Sequence, residues 1–172
     1  MGIRNDVFGL EQIYQLQIEG QWSTKGDVWN TPSPFTKAHP FGYFIGGQPN
    51  QTNTTERLDY SSDTTVNTYT GSLTIGRYKC ASVGNQQFSY TAGGVPSSIV
   101  ERIDYSNDSA AALAKGNIGG GDILAMAATG DVNFGYFGGG SNPTYLSTVR
   151  RIDYSNDTTT VSPKGPLSVA RA

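Results

Sequence analysis

The segments Phe134-Gly-Tyr-Phe-Gly-Gly-Gly140 and Arg150-Arg-Ile-Asp-Tyr-Ser-Asn-Asp-Thr158 decide the fold, because two further copies of each occur earlier in the chain. The first segment recurs as Phe41–Gly47 and Phe88–Gly94, and the second as Glu56–Thr64 and Glu101–Ser109. Successive copies begin about 47 residues apart. A fixed period of this length is typical of a protein built from repeated supersecondary units.

Each copy predicts about four short antiparallel β-strands and no regular helix. The aromatic residues of the Phe-x-Tyr segment share one face, and the glycine pair after them ends the strand. The Arg-(Leu/Ile)-Asp-Tyr segment alternates in the same way, and Ser-Asn-Asp then favours a turn. In the first copy the third and fourth strands are expected at Val66–Tyr69 and Tyr78–Val83. The expected framework residues are Gly46, Gly47, Asp59, Tyr60, Gly93, Gly94, Asp104, Tyr105, Gly139, Gly140, Asp153 and Tyr154.

The copies differ in the length of one connection. The spacing from the aspartate of each Asp-Tyr pair to a downstream glycine is constant, and the three glycines are Gly71, Gly116 and Gly165. The spacing between the glycine pair and that aspartate varies, which is typical of a surface loop. These exposed loops are predicted at Gln48–Thr55, Val95–Ser98 and Ser141–Ser147, and any ligand is expected to bind there.

Composition and charge exclude several classes of function. A net charge of −2 is not the basic balance of a nucleic-acid-binding protein. The one cysteine, Cys80, excludes an intrachain disulfide framework, and it cannot complete a zinc site with the one histidine, His39. The first residues lack the apolar core of a signal peptide, and no stretch approaches transmembrane length. We therefore expect no nucleic-acid partner, no membrane insertion and synthesis in a cytoplasm.

Residues 1–38 do not repeat and are predicted to form a leader before the repeats at 39–172. Leu10–Glu19 is the one stretch with helical patterning. The leader either caps an exposed edge of the first repeat or docks its apolar side chains on a larger assembly. We favour docking because both tryptophans lie outside the repeats, and the docking candidates are Leu10, Ile13, Tyr14, Trp22 and Trp29.

Patterns that would indicate catalysis or metal binding are weak. A nucleophile triad lacks its histidine, since His39 lies beside Pro40 in a predicted linker. Aspartates that recur once per repeat favour a structural task over paired acid–base catalysis. Asp104–Asp108 offers oxygen ligands, but calcium loops need more of them at enforced spacing. The glycine runs at 119–121 and 138–140 lack the Lys-Ser/Thr of a phosphate-binding loop. We expect no catalytic residue, no metal ligand and no cofactor.

The order of these residues resembles a divergent kelch repeat. The matching positions are Arg77, Ala81, Gly84-Asn85, Phe88, Gly93-Gly94 and Asp104-Tyr105. Kelch repeats form four-stranded β-propeller blades, so the resemblance implies blades here. The chain lacks the tryptophan that follows Asp-Tyr in the family, and Asp122 is expected at the arginine position of the second repeat. We expect two full repeats and an unfinished third, whereas propellers close with roughly four to eight blades.

The pairing of Gly-Tyr-Phe-Gly-Gly-Gly with Arg-Ile-Asp-Tyr-Ser-Asn-Asp-Thr is similar to the repeats of virion structural and tail-fibre proteins of marine bacteriophages, especially cyanophages. A leader similar to Leu10-Glu-Gln-Ile-Tyr14 followed by Gly-x-Trp22 precedes the repeats in those proteins. The resemblance covers nearly the whole chain. It implies a non-enzymatic virion component, such as a tail fibre or surface appendage, that docks by its leader and presents its β-repeats for host adhesion or assembly.

The resemblance also implies partners and leaves alternatives open. The implied partners are virion proteins of the tail, baseplate or capsid, further copies in a homo-oligomer such as a trimer, and a host glycan or protein. The repeats would be completed by a longer chain, by other subunits, or remain an open stack, and we favour the longer chain. The alternative functions are a decoration protein without host contact, a propeller enzyme of the galactose-oxidase or sialidase type, and a kelch-type adaptor.

Overall fold

The computed structural model describes residues 40–62, 64, 66–156 and 159–172. The predicted helix at Leu10–Glu19, all five docking candidates and His39 lie outside these ranges. Within them the chain is mainly β, as predicted, with one short 3-10 helix at Tyr105–Asn107. Among the same residues, no helix has the length and apolar character needed to cross a membrane.

The strands in chain order are Phe41–Gly47 (β1), Thr52–Asp59 (β2), Thr68–Tyr69 (β3), Ala81–Gly84 (β4), Phe88–Ala92 (β5), Ile99–Asp104 (β6), Leu113–Asn117 (β7), Ala127–Gly130 (β8), Phe134–Gly138 (β9), Val149–Asp153 (β10), Thr159–Thr160 (β11) and Ser162–Lys164 (β12). They form three sheets, each built around the central hairpin of one repeat. Sheet 1 has the order β1-β2-β3, sheet 2 the order β11-β7-β6-β5-β4, and sheet 3 the order β12-β10-β9-β8. Sheets 2 and 3 each contain four antiparallel strands, and β11 pairs in parallel with β7 at the edge of sheet 2. The predicted repeat is shifted by one strand, because β4, expected as the fourth strand of the first copy, pairs with β5 in sheet 2 and not with β3.

The central hairpin has the same register in every repeat. Its first phenylalanine pairs with the aspartate of the Asp-Tyr pair, as Phe41 with Asp59, Phe88 with Asp104 and Phe134 with Asp153. A slip of one residue would turn every side chain to the opposite face. The common register therefore places equivalent side chains on equivalent faces of the three sheets.

Two apolar clusters lie where neighbouring sheets meet. The larger one joins sheets 2 and 3 and contains Ala81, Tyr90, Ala92, Val100, Ile118, Ile123, Met126, Phe137, Ile152 and Tyr154. The smaller one joins sheets 1 and 2 and contains Leu73, Ile103 and Ala112, with Ile45 and Tyr105 packed against it. The core is thus made by contacts between repeats, because a single sheet has no partner on which to bury its apolar face.

Two strand predictions in the first repeat differ from the structure. The third strand begins at Thr68 instead of Val66, whose side chain is 93% exposed. The fourth strand runs from Ala81 to Gly84 instead of from Tyr78 to Val83. Lys79 has a φ of 55°, a left-handed conformation that interrupts a strand, and Tyr78 makes only an isolated bridge to Val95.

Candidate interaction surface

The framework aspartates form turns. Asp104 accepts hydrogen bonds from the backbone nitrogen of Ser106 at 2.9 Å and from its hydroxyl at 2.6 Å. Asp59 and Asp153 accept the same pair of bonds from Ser61 and Ser155. These serine bonds lower the pKa of all three aspartates, because they stabilise the charged carboxylate. The geometry is that of an Asx-turn, in which the carboxylate replaces a backbone acceptor.

An arginine lies over a phenylalanine ring in each hairpin. The guanidinium carbon is 4.4 Å from the ring centroid for Arg57 over Phe41, and 4.2 Å for both Arg102 over Phe88 and Arg151 over Phe134. Contacts of this kind contribute about 0.5–1 kcal/mol at exposed sites. They hold the charged and aromatic side chains of each repeat in one orientation.

The glycine pairs fix the connection into the next repeat. Gly47, Gly94 and Gly140 donate their N–H groups to the carbonyls of Arg77, Ile123 and Arg171, at 2.9, 2.8 and 2.7 Å. All six framework glycines have positive φ. A Cβ on Gly93 would lie 2.7 Å from the carbonyl oxygen of Ile123, so the close approach requires glycine.

These bonds correct one residue assignment. The prediction that Asp122 occupies the arginine position of the second repeat is wrong, because Ile123 accepts the bond that Arg77 and Arg171 accept in the other repeats. The second repeat has one extra residue between Gly116 and β8, within a connection that contains the glycines 119–121. Ile123 is fully buried, whereas Asp122 is exposed.

A buried ion pair joins the first two repeats. Arg77 and Glu101 are both 0% exposed and their side chains are bound to each other. Arg77 also donates to the carbonyl of Ile99 at 2.7 Å, and Glu101 accepts two bonds from Thr74 at 2.6 Å. This pair was not predicted from the sequence, although one signal was present: the position of Glu101 is charged in every repeat, as Glu56, Glu101 and Arg150.

The junction between the second and third repeats has different residues at these two positions. Ile123 replaces the arginine and Arg150 replaces the glutamate. Nη1 of Arg150 is buried and has no hydrogen-bond partner among the described residues. Burial lowers the pKa of this arginine. The junction therefore tolerates an apolar residue opposite the charged one.

Tyrosine rings stack across both junctions between sheets. The rings of Tyr43 and Tyr105 have centroids 5.0 Å apart, and those of Tyr90 and Tyr154 are 5.2 Å apart. Tyr43 also donates its hydroxyl to Asp108 at 2.9 Å, beside the Arg57–Asp108 ion pair. Burial is the main cause of the raised pKa of Tyr43, Tyr105 and Tyr154. The framework tyrosines Tyr105 and Tyr154 are thus packing residues, whereas Tyr60 is 62% exposed.

An apolar groove of about 680 Å³ lies on the face of sheet 3 that is turned away from sheet 2. Its lining is mostly small and aliphatic, with one phenol and one guanidinium at the margin. The lining side chains include Met126, Ala127, Tyr136, Val149, Leu167 and Arg171.

The variable connections are less uniform than predicted. They span 48–51 in sheet 1, 93–98 in sheet 2 and 139–148 in sheet 3. Thr55 belongs to β2 and is 1% exposed, and Ser97 is 3% exposed, so the first two predicted loops are exposed only in part. The third connection is the longest and carries Tyr145, which is 69% exposed.

In the part of the chain that the structure describes, no three side chains of His, Cys, Asp or Glu lie close enough together to hold a metal ion. Cys80 lies near the carbonyl of Ile45 at 3.8 Å, and burial raises the pKa of its thiol, which disfavours the reactive thiolate.

Comparison with known proteins gives a similarity of fold. No protein-family model and no curated protein matches the chain. Among solved structures, the chain is similar to a fungal alcohol oxidase of the AA5 family that was determined in complex with copper. The TM-score is 0.58 and the sequence identity 17%, over 77% of this chain and 31% of the oxidase chain. The chain spans less than a third of that protein, and the likeness concerns the fold alone.

Proposed function

We propose that this chain is a non-enzymatic structural component of a bacteriophage particle, a tail fibre or a similar surface appendage. One observation carries the proposal: three sheets keep one hairpin register while the connection at the tip of that hairpin changes in length. A constant frame with variable tips suits a protein that presents surfaces to partners.

The repeats form a propeller-like module in this proposal. Successive four-stranded meanders that pack face to face are the units of a β-propeller. The Tyr90–Tyr154 stack and the apolar cluster between sheets 2 and 3 support this arrangement. The similarity to the larger fungal oxidase is compatible with it.

Contacts to a host surface are assigned to the hairpin tips, above all to residues 139–148. This connection is the longest of the three and exposes an aromatic ring at Tyr145. Exposed tyrosines suit contacts with sugars and proteins, because the ring is apolar and the hydroxyl forms hydrogen bonds. Glycan-array and host-cell binding by the purified chain tests the assignment. Tyr145→Ala should weaken binding at least tenfold, whereas Val132→Ala, an exposed residue of another turn, should leave it unchanged.

Docking to the particle is assigned to residues 1–38, with Leu10, Ile13, Tyr14, Trp22 and Trp29 as the contact residues. Deletion of residues 1–30 should abolish incorporation into particles and leave the β-sheet circular dichroism of the repeats unchanged. Normal incorporation of the truncated chain would contradict the docking assignment without touching the adhesion assignment.

A decoration protein that stabilises a capsid or tail is the runner-up. It would enter particles and bind no host component. Normal adsorption of particles that lack this chain, together with reduced resistance to heat, would favour decoration over adhesion.

An oxidase function is not proposed. The similar fungal protein was determined with copper, but the described residues supply no three-residue cluster of metal-ligand side chains. The described residues therefore offer no such cluster for copper, and no reaction is assigned to them.

A further inference from the structure

We infer that the open groove on sheet 3 binds the first repeat of a second copy of this chain, in a head-to-tail contact that repeats the junction between sheets 2 and 3. Self-association of this kind does not depend on the proposed virion role. The groove corresponds to a buried face of the same molecule.

Five residues of the groove correspond to five core residues of sheet 2. The hairpin pairs Ala81 with Ala92 in sheet 2 and Ala127 with Gly138 in sheet 3, which fixes the correspondence. The core residues are Ala81, Tyr90, Ala92, Val100 and Ile118, and none is more than 8% exposed. Their counterparts in the groove are Ala127, Tyr136, Gly138, Val149 and Leu167. The groove is therefore the equivalent face of sheet 3, which no other described sheet covers.

The face of sheet 2 that these core residues form is covered by sheet 3. Phe137, Ile152 and Tyr154 of sheet 3 lie in the cluster that buries it, with exposures of 0, 1 and 8%. The same positions in sheet 1 are occupied by Phe44, Leu58 and Tyr60. There Phe44 is 59% exposed and Tyr60 is 62% exposed. Sheet 1 thus presents the projecting side chains that fit such a groove.

The charged residues at the two faces are also complementary. The carbonyl of Arg171 accepts a bond from Gly140 as that of Arg77 does from Gly47, so Arg171 stands at the end of sheet 3 where Arg77 stands at the end of sheet 1. Arg77 binds Glu101 of the following sheet. In sheet 1 the position of Glu101 is held by Glu56. A head-to-tail contact brings Arg171 of one copy to Glu56 of the next.

A second copy is the occupant, because the two faces are unlike each other, carry corresponding apolar residues and opposite charges, and are both present on one chain. A contact between unlike faces leaves one free face of each kind, so association continues until a ring closes or a filament forms.

Sedimentation velocity of the 172-residue chain over a range of concentrations tests the inference. We expect species larger than a dimer, which grow with concentration. Phe44→Asp blocks the projecting face and Ala127→Arg blocks the groove, and both substitutions are at exposed positions. Each variant alone should be a folded monomer, and an equimolar mixture of the two should form a dimer that grows no further. Val132→Asp, at an exposed residue outside both faces, should associate like the parent chain.

A second pair of variants keeps the test decisive if a blocked face perturbs folding. Arg171→Glu and Glu56→Arg should each weaken association at least tenfold, and combining both changes in one chain should restore it. A parent chain that stays monomeric up to its solubility limit would overturn the inference and leave the groove to further repeats or to another protein. Association that survives both Phe44→Asp and Ala127→Arg would also overturn it, because the contact would then lie elsewhere.

Discussion

Arg77 is held by the backbone of sheet 1 while its guanidinium binds Glu101 inside sheet 2. The carbonyl of Arg77 accepts from Gly47 and its N–H donates to Thr52, both in the first repeat. Its side chain and that of Glu101 are completely shielded from solvent. This ion pair therefore connects two repeats and is itself costly to desolvate.

Removal of one partner should be more damaging than removal of both. Glu101→Gln leaves a buried guanidinium without its counter-charge, and we expect a loss of about 3–5 kcal/mol in the free energy of unfolding. Arg77→Met combined with Glu101→Leu removes both charges and should recover most of that loss. Urea denaturation of both variants measures the difference. A double variant as unstable as the single one would show that the hydrogen bonds from Thr74, and not the charges, stabilise the junction.

The junction between the second and third repeats tests the opposite case, in which a charged residue faces an apolar one. Arg150 faces an apolar position and has a buried nitrogen without a hydrogen-bond partner among the described residues. We expect Arg150→Met to leave stability unchanged or to raise it by about 1 kcal/mol, because the desolvation cost disappears while the stem still packs. A loss above about 2 kcal/mol in thermal or urea denaturation would contradict this expectation.

A comparison of two glycines with similar φ angles separates the cost of backbone strain from that of steric contact. Gly93 has a φ of 68° and Gly119 a φ of 78°. A Cβ on Gly93 would meet the carbonyl of Ile123 at 2.7 Å, whereas a Cβ on Gly119 would meet nothing within 4 Å. We expect Gly119→Ala to cost about 1 kcal/mol, from the left-handed conformation alone. Gly93→Ala should cost at least about 2 kcal/mol more, as measured by denaturant unfolding. Equal costs would show that the backbone relaxes freely at the glycine pair.

The hydroxyl of Tyr154 should be dispensable and its ring essential. The ring stacks on Tyr90, while the hydroxyl has no hydrogen-bond partner within the described ranges. Tyr154→Phe should be neutral or stabilise by up to about 1 kcal/mol, and Tyr154→Ala should cost about 3–5 kcal/mol.

Burial raises the pKa of Tyr154, so the folded state favours the neutral phenol. Stability is therefore present below about pH 10 and is lost as the pH rises further. The phenylalanine variant should lose part of this alkaline dependence, and an unchanged alkaline profile would contradict the burial of the group.

The turn aspartates should determine part of the response to acid. Serine hydrogen bonds lower the pKa of Asp104 in the folded state. Its contribution is present above the unfolded pKa of about 3.9 and is lost as the pH falls through the lower folded value. Asp104→Asn keeps an acceptor oxygen but cannot titrate, so its unfolding curves should change less between about pH 4 and pH 2 than those of the parent. The matched control, Asp122→Asn, removes an exposed carboxylate from a glycine-rich connection and should follow the parent.

The local pattern predicted the central hairpins well. The alternation of Phe88 and Tyr90 specifies one face, and the Asp104 turn ends the neighbouring strand by bonds within three residues. Such features depend on nearby residues and are visible in the sequence. The strand Ala81–Gly84 was predicted too early, at Tyr78–Val83, because the left-handed conformation of Lys79 has no signal in the sequence.

Features that depend on packing between repeats could not be predicted in the same way. Arg77 and Glu101 belong to different repeats, so their pairing requires the sheets to be placed side by side. The second repeat has one extra residue before Ile123, so counting from Gly116 placed Asp122 at the arginine position. The groove on sheet 3 could not be predicted, because it is identified by the equivalence of Val149 and Leu167 with the buried Val100 and Ile118.

Length changes at the hairpin tip leave the strand register unchanged. Phe41, Phe88 and Phe134 face their aspartates identically, although the connections run through 48–51, 93–98 and 139–148. Doubling a flexible loop costs only about 0.6 kcal/mol. Insertions within the exposed residues 142–145, beyond the glycine pair, should therefore cost little folding free energy. Natural variation, or a peptide library inserted among these exposed residues between β9 and β10, can therefore change the surface of the repeat without changing the residues that specify its fold.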